Sequence, residues 1–509
     1  MTDTKPKTTH VNMMADSLIA NLPLQGLRFV LRGMLANRPD CTTTFEDQAR
    51  SYTRDVTLPS AESVQTSKDA VEYIQNLRNH VCCMLGCGLC YEALPVLQST
   101  VEAIGRFLAL TEGNLTEKSS LSYQVTQLDG VIVQAVTAVQ KSLVSSTGSR
   151  NLSENERKLL ERLLDRLTNC KVASEKQSQL FLLDRGLETV EDFLHPKTFT
   201  HSTGIITPPS TKDLPDISES FAVNGVNLPR IFTGLWQLSS PAWGSAPQSK
   251  IMEQFSNTFS KSIFAATKYC VFHPMKVSRE AVVANINERC QRLKSDSVDL
   301  LQFHWQHYED SSYIQALKYI QEDTRVKNLG LCNFDTEHMQ KVIDSGVKFS
   351  LIDSRPTVRM AELCERHDVK LLTYGTLCGG LIAERWIGKD APDLYGETVT
   401  PSQRKYLAMI NSWGGWALFQ ELLKTLHSIA QKHGASLSNV ATRWVLDFPY
   451  VGAVIVGTRM GISQQCDESL ASLGWKLDAD DQKQIQEILN RSRGTEMFES
   501  LGDCGGEYR

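Results

Sequence analysis

Residues 297–305, SVDLLQFHW, form a short apolar run ending in polar and aromatic side chains; residues 311–324 follow with helical spacing, and NLGLCNF (328–334) is a second run of the first kind. A run of that length bounded by turn signals reads as a buried strand. The same alternation extends both ways: IFAATK (263–268), KLLTYGTL (370–377) and AVIVGTR (453–459) read as strands, and 278–294, 335–346, 359–368 and 415–434 as helices. Strands alternating with helices of this length imply a parallel sheet with helical crossovers, most economically a closed (β/α)8 barrel. Ahead of it, SFAVNGVNLPRIFTGLW (220–236) holds two runs around an Asn224-Gly225 hairpin turn.

Further upstream the chain changes character. All eight tryptophans lie beyond residue 235, and KTFTHSTGIITPPSTKDLPD (197–216) is a Thr/Ser/Pro-rich stretch whose Pro208-Pro209 forbids a helix. The expected division is a helical domain over 1–196, a linker over 197–219 and an α/β domain over 220–509. In the first part, Ser153 and Glu156 form a capping box ahead of a stripe of Leu159, Leu160, Leu163, Leu164 and Leu167, and 69–90, 92–111 and 121–145 share that spacing. Oligomerisation, regulation and a separate binding site fit this block equally well. Cys83, Cys87 and Cys90 have the spacing of a cluster-binding triplet, but they run inside the apolar segment VCCMLGCGLCYEALPVL, where free cysteine packs as a small hydrophobe; no metal is expected.

At 509 residues the chain has room for two to four domains. Fifty-three Lys and Arg against 58 Asp and Glu give a net charge of −5, which excludes wholesale electrostatic binding to nucleic acid. No apolar run is long enough to span a bilayer. Thirteen cysteines, an odd number, and a polar start indicate reduced thiols and a cytoplasmic protein. Arg28, Arg32 and Arg38 lend the opening a weak transit-peptide character, against which Asp16 and Asp40 argue.

The hairpin, Lys268 closing IFAATK, His304 in DLLQFHW, Asn333 in GLCNF, the turn after Tyr374 and VIVGTR occur in one order, and together they resemble an aldo-keto reductase across residues 220–509. The resemblance implies a barrel that transfers hydride between NADPH and a small carbonyl or alcohol. A hydride arriving at a carbonyl carbon leaves an alkoxide, so the site must supply a proton. Lys268 and His304 match the catalytic lysine and histidine. Tyr374 matches the aromatic that stacks on nicotinamide, and Asn333 the asparagine that holds its carboxamide. Gly375, Thr376, Leu377 and Gly379 match the pyrophosphate turn. Gly457, Thr458 and Arg459 match the loop where an arginine meets a 2′-phosphate, although Glu468-Ser469 replaces the family's acid–asparagine pair. Trp236 and Trp305 are expected to line the substrate pocket.

Two departures qualify that match. The family's second strand carries an aspartate and a tyrosine, but SAPQSKIMEQFSNTFSKSI (245–263) contains neither and is too short for a helix, a strand and a crossover. After Gly346 the sixth strand is abbreviated and its glutamine is absent. The barrel is therefore expected to be incomplete, lacking strand 2 and part of strand 6. Tyr269 should point away from the site, whereas His307 and Tyr308 lie closer as stand-in acids. Three readings follow: an NADP-dependent oxidoreductase, a catalytically inactive binding or scaffold relative, and a chain lacking a segment that carries the Asp and Tyr.

Overall fold

The structure is a computed structural model that describes most of residues 19–494; residues 108–119, 196–218, most of 240–263, 345–349, 353–359, 463–465, a few single positions and both ends are outside it. The expected linker, the segment replacing strand 2, Gly346 and the tail from Met497 fall outside the described residues.

Among the described residues seven helices come first: α1 (Leu24–Asn37), α2 (Thr42–Asp55), α3 (Ser67–Gly86), α4 (Cys90–Phe107), α5 (Ser120–Ser142), α6 (Glu154–Lys176) and α7 (Asp184–Leu194), with a ribbon of two-residue strands, β1 (Val144–Ser145) and β2 (Gly148–Ser149), after α5. The capping box behaves as the sequence predicts: Glu156 Oε2 accepts from the Ser153 N–H at 2.7 Å and the Ser153 hydroxyl accepts from the Glu156 N–H. From that start, Leu160, Leu163 and Leu167 are buried, and α3 buries Ala70, Tyr73, Ile74, Leu77, Val81 and Met84 at the same period. The cysteine triplet is not helical throughout. Cys87 is the C-cap of α3, Gly88 takes φ +77°, and Cys90 opens α4, so the three thiols straddle a turn between two helices.

Helix α5 is buried on nearly every side and carries polar groups inward. Asp129 Oδ1 accepts from the Gly186 N–H at 2.7 Å, satisfying a donor in the first turn of α7. Gly186 permits this approach, since a Cβ there would lie 2.9 Å from Ile132 Cγ2. Burial pushes the Asp129 carboxyl up to about 7, and neither the Gly186 N–H nor nearby Arg185 offsets it. The unfolded carboxyl sheds its proton near 3.8 and the folded one near 7, so the native state binds the extra proton between those values. Stability is expected to fall as pH rises through that window and to level off above it. Chemical denaturation across a pH series checks this: Asp129→Asn should flatten the window and be the more stable form at pH 8.

The second part opens on a hairpin of β3 (Ser220–Val223) and β4 (Val226–Pro229), turning at Gly225 with φ +80°. A seven-stranded sheet follows: β5 (Ile231–Gly234), β6 (Ala266–Val271), β7 (Leu300–Trp305), β8 (Leu329–Cys332), β9 (Ser350–Ile352), β10 (Leu371–Tyr374) and β11 (Val451–Gly457). Their order is β5-β11-β10-β9-β8-β7-β6, and each neighbouring pair is parallel. Crossover helices are α8 (Arg279–Leu293), α9 (Tyr313–Glu322), α10 (Thr336–Asp344) and α11 (Met360–His367). Past β10 come α12 (Pro401–Trp413), α13 (Gly415–His433) and α14 (Leu437–Leu446), and after β11 come α15 (Cys466–Leu470) and α16 (Ala479–Leu489). The abbreviated strand persists as the three residues of β9, paired to β8 and to Leu371 of β10. Among the described residues β5 and β6 are the sheet's two edges.

Side chains alternate across the strands. Tyr269, Val271, Leu301, Phe303, Trp305, Leu331 and Leu371 enter one core with α8, α9 and α11. Leu300, Leu372 and Ala453 face the other way, where they meet Phe221 and Leu228 of the hairpin. The hairpin thus plugs the concave side at the strands' N-terminal end. Gly452 leaves it room: a Cβ there would stand 2.7 Å from a Phe221 ring carbon and 3.1 Å from Lys370 Cβ. Gly452→Ala is expected to cost about 1–3 kcal/mol by overpacking, measurable as a shifted denaturation midpoint that Phe221→Leu largely relieves.

The helical part contacts the sheet part directly. Arg185 of α7 donates to the Leu238 carbonyl at 3.2 Å, and Arg292 of α8 reaches Gln140 of α5.

Candidate functional site

Lys268, Gln302 and His304 project from β6 and β7 to the concave side, because their strand neighbours Tyr269, Phe303 and Trp305 are taken by the helix-side core. Lys268 pairs in register with Gln302, and His304 with Cys270. The strand extends past its expected end, so Lys268 is the third of six residues in β6 and sits one layer below His304. His304 and Gln302 are buried. Burial also pushes the Cys270 thiol up to about 11, keeping it protonated beside these groups.

Tyr374 ends β10, four strands away from β6 in the sheet, yet Lys268 Nζ lies 6.0 Å from its ring centroid. The sheet must curl strongly for those side chains to meet. The Tyr374 hydroxyl donates to Asn333 Oδ1 at 3.1 Å, and Asn333 itself takes φ +57° just past β8. A left-handed backbone is tolerated by asparagine better than by bulkier residues. The expected lysine, aromatic and asparagine are therefore brought together by three strands, β6, β10 and β8.

Beyond Tyr374 the backbone is unusual. Gly375 has φ +78°, and Cys378, Gly379 and Gly380 take +47°, +64° and +85° in succession. Within the turn the Cys378 N–H donates to the Gly375 carbonyl at 2.9 Å and the Gly380 N–H to the Leu377 carbonyl at 2.8 Å. The Thr376 hydroxyl is buried with no hydrogen-bond partner, so this turn also holds an unused polar atom. An anionic diphosphate fits that hydroxyl, which has a proton to donate. Leu377 packs into the core formed with α12 and α13. Next to it, Gly457 closes β11 opposite Gly234, and the Thr458 N–H donates to the Gly234 carbonyl at 2.9 Å, pinning the Thr458–Arg459 element to β5. The Glu468 carboxylate accepts from the Ser438 hydroxyl at 3.3 Å, and its backbone carbonyl accepts from Asn439 Nδ2 at 2.6 Å.

Other expected positions need correction. Trp305 does not line a pocket: it is fully buried on the helix side, stacked near Phe303 and donating through Nε1 to the His307 carbonyl at 2.7 Å. Trp236 lies in a short 3-10 turn after β5 and is 66% exposed. Tyr308 stacks its ring on His338 with centroids 3.7 Å apart, and its hydroxyl donates to the Asn333 carbonyl at 3.4 Å. His307 sits 3.4 Å from Glu309. Tyr269 faces away from the site, its hydroxyl on Met275 Sδ.

Among the described residues one grouping resembles metal ligands, His433, Asp478 and Asp481. Both acids cap α16, and Asp481 accepts from His433 at 2.6 Å and Lys432 at 2.8 Å, so the cluster is committed to holding helices together. No helix among the described residues is long and apolar enough to cross a membrane.

Two residues at the site escaped the sequence reading. Gln302 beside Lys268 carries no motif signal. Tyr406 of α12, whose hydroxyl lies against Gly375, sits in a stretch without recognisable spacing.

The chain is 26% identical over 185 residues to flagellar radial spoke protein 5 of Chlamydomonas reinhardtii, covering 31% of this chain and 35% of that protein. It is 22% identical over 277 residues to the aldo-keto reductase YhdN of Bacillus subtilis, covering 50% of this chain and 79% of that one. Among solved structures, the glycerol dehydrogenase AKR11B4 from Gluconobacter oxydans aligns at TM-score 0.43 and 20% identity, over 54% of this chain and 97% of its own. The model of the Aldo/keto reductase family matches residues 244–490. Over those residues, from the segment before β6 through α16, the chain matches the aldo/keto reductase family model.

Proposed function

We propose that the concave face of the sheet binds a nicotinamide nucleotide, NADP in preference, and interconverts a small carbonyl and its alcohol. The observation that carries this reading is the approach of Lys268 Nζ to the Tyr374 ring across the curled sheet, with His304 on the same face. Tyr374 would hold the nicotinamide and Asn333 its carboxamide. Gly375, Thr376, Leu377 and Gly379 would take the diphosphate, with Gly457, Thr458 and Arg459 at the 2′-phosphate end. The bound nucleotide supplies or accepts the hydride. The chain's own part is to fix the carbonyl and deliver a proton: the His304 imidazole orients the oxygen, and the Lys268 ammonium is the nearest donor, since 245–263 offers no tyrosine. Trp236 at the rim would border the substrate.

The same reading takes the sheet as an eight-stranded barrel short of one strand between β5 and β6, and divides the chain at 197–219. A cytoplasmic setting is consistent with eleven described cysteines that are all free thiols. A second reading, a nucleotide-binding scaffold without turnover, is favoured by the missing Asp and Tyr and by the kinship with a radial spoke protein. NADPH titration by fluorescence, followed by carbonyl-dependent NADPH oxidation, separates the two. Saturable binding with turnover supports the first, binding without turnover supports the second, and absence of binding refutes both.

A further inference from the structure

The turn after Tyr374 is covered by helix α12, and the contact is close. A Cβ on Gly375 would lie 2.1 Å from the Tyr406 phenolic oxygen, so that oxygen occupies space any other residue at 375 would fill. One turn of helix earlier, the α12 backbone at Ser402 and Gln403 comes to 3.1 Å of where a Gly379 Cβ would stand. Both glycines have positive φ, and Thr376 between them holds the buried hydroxyl without a partner. Lys405 adds a cation, its Nζ 5.7 Å from the Tyr406 ring centroid. Helix α12 is thereby fitted to the turn at two points and brings a phenol and an ammonium to its edge.

We propose that Tyr406, with Lys405 beside it, is a positioning residue for the nucleotide: its O–H donates to a phosphate oxygen of a diphosphate lying on the 375–379 turn. The inference rests on reading that turn as the diphosphate site. A neutral hydroxyl reaching a charged oxygen makes a charge-assisted bond, stronger than a neutral pair, and it adds to affinity without touching the reacting atoms.

Fluorescence titration of the full chain with NADPH, and separately with the reduced nicotinamide riboside that lacks phosphate, tests the proposal. Tyr406→Phe is expected to weaken NADPH roughly 10- to 100-fold, as loss of a hydrogen bond to a charged group does, and to leave the riboside unchanged. Lys405→Met should weaken NADPH in the same direction and lower the salt dependence of binding. Unchanged NADPH affinity in Tyr406→Phe, or an equal loss for both ligands, overturns the proposal while leaving the site itself standing. Failure of the unmodified chain to bind NADPH overturns the diphosphate reading and this inference with it.

Discussion

Lys268→Met is expected to lower carbonyl-dependent NADPH oxidation about 10²- to 10⁴-fold, the range associated with a positioned proton donor, with little change in NADPH affinity. Methionine keeps most of the aliphatic stem, so the concave face retains its packing while losing the ammonium near Tyr374. Single-turnover kinetics with saturating NADPH isolates the step. An unchanged rate would remove Lys268 from the chemistry, and a matching loss of NADPH binding would recast it as a nucleotide contact.

The second large effect concerns how the hairpin is held. Arg443 of α14 is fully buried; its Nη1 donates to both Glu219 oxygens at 2.7 and 2.9 Å, and its Nε donates to Asp447 at 2.9 Å. Glu219 immediately precedes β3, and it also accepts from the Gly474 N–H at 2.9 Å. One guanidinium therefore ties the start of the plug to the helix before β11 and to the segment after α15. Arg443→Met is expected to cost about 3–5 kcal/mol, because it strands two carboxylates in a mostly buried place. The triple variant with Glu219→Gln and Asp447→Asn should recover much of that loss, since the penalty comes from unpaired charge rather than lost attraction. Denaturation of the three proteins checks this. Acid sensitivity should report it too. Burial pushes the Glu219 carboxyl up, but Arg443, the Gly474 N–H and Arg230 outweigh it and hold it below the usual range. That contribution is present above the unfolded carboxylate pKa and is lost as pH falls through the folded one, so the arginine variant should lose less stability on acidification than the parent.

Much of the fold is readable from particular residues. The alternation in LLQFHW placed Gln302 and His304 opposite Phe303 and Trp305, since successive strand side chains must part. What alternation cannot say is which face is concave, and Trp305, a pocket residue by resemblance, lies with the helices. Strand ends are also hidden in the sequence: Tyr269, Cys270 and Val271 continue β6 because Tyr269 and Val271 pack on the crossover helices, leaving Lys268 midway along the strand. In the helical part, a glycine with positive φ split the cysteine segment, a local demand of Gly88 that the apolar spacing concealed. Tyr406 was invisible because its role depends on how α12 lies on the turn after β10, a contact between segments that no period in the sequence encodes.

The most direct measurement is a crystal structure of the full chain grown with NADPH. The nicotinamide is predicted beside the Tyr374 ring, within reach of Lys268 and His304, and the diphosphate along Gly375–Gly379 beneath Tyr406. A nucleotide bound elsewhere on the chain, or density for Lys268 turned away from an empty concave face at saturating NADPH, would contradict the account.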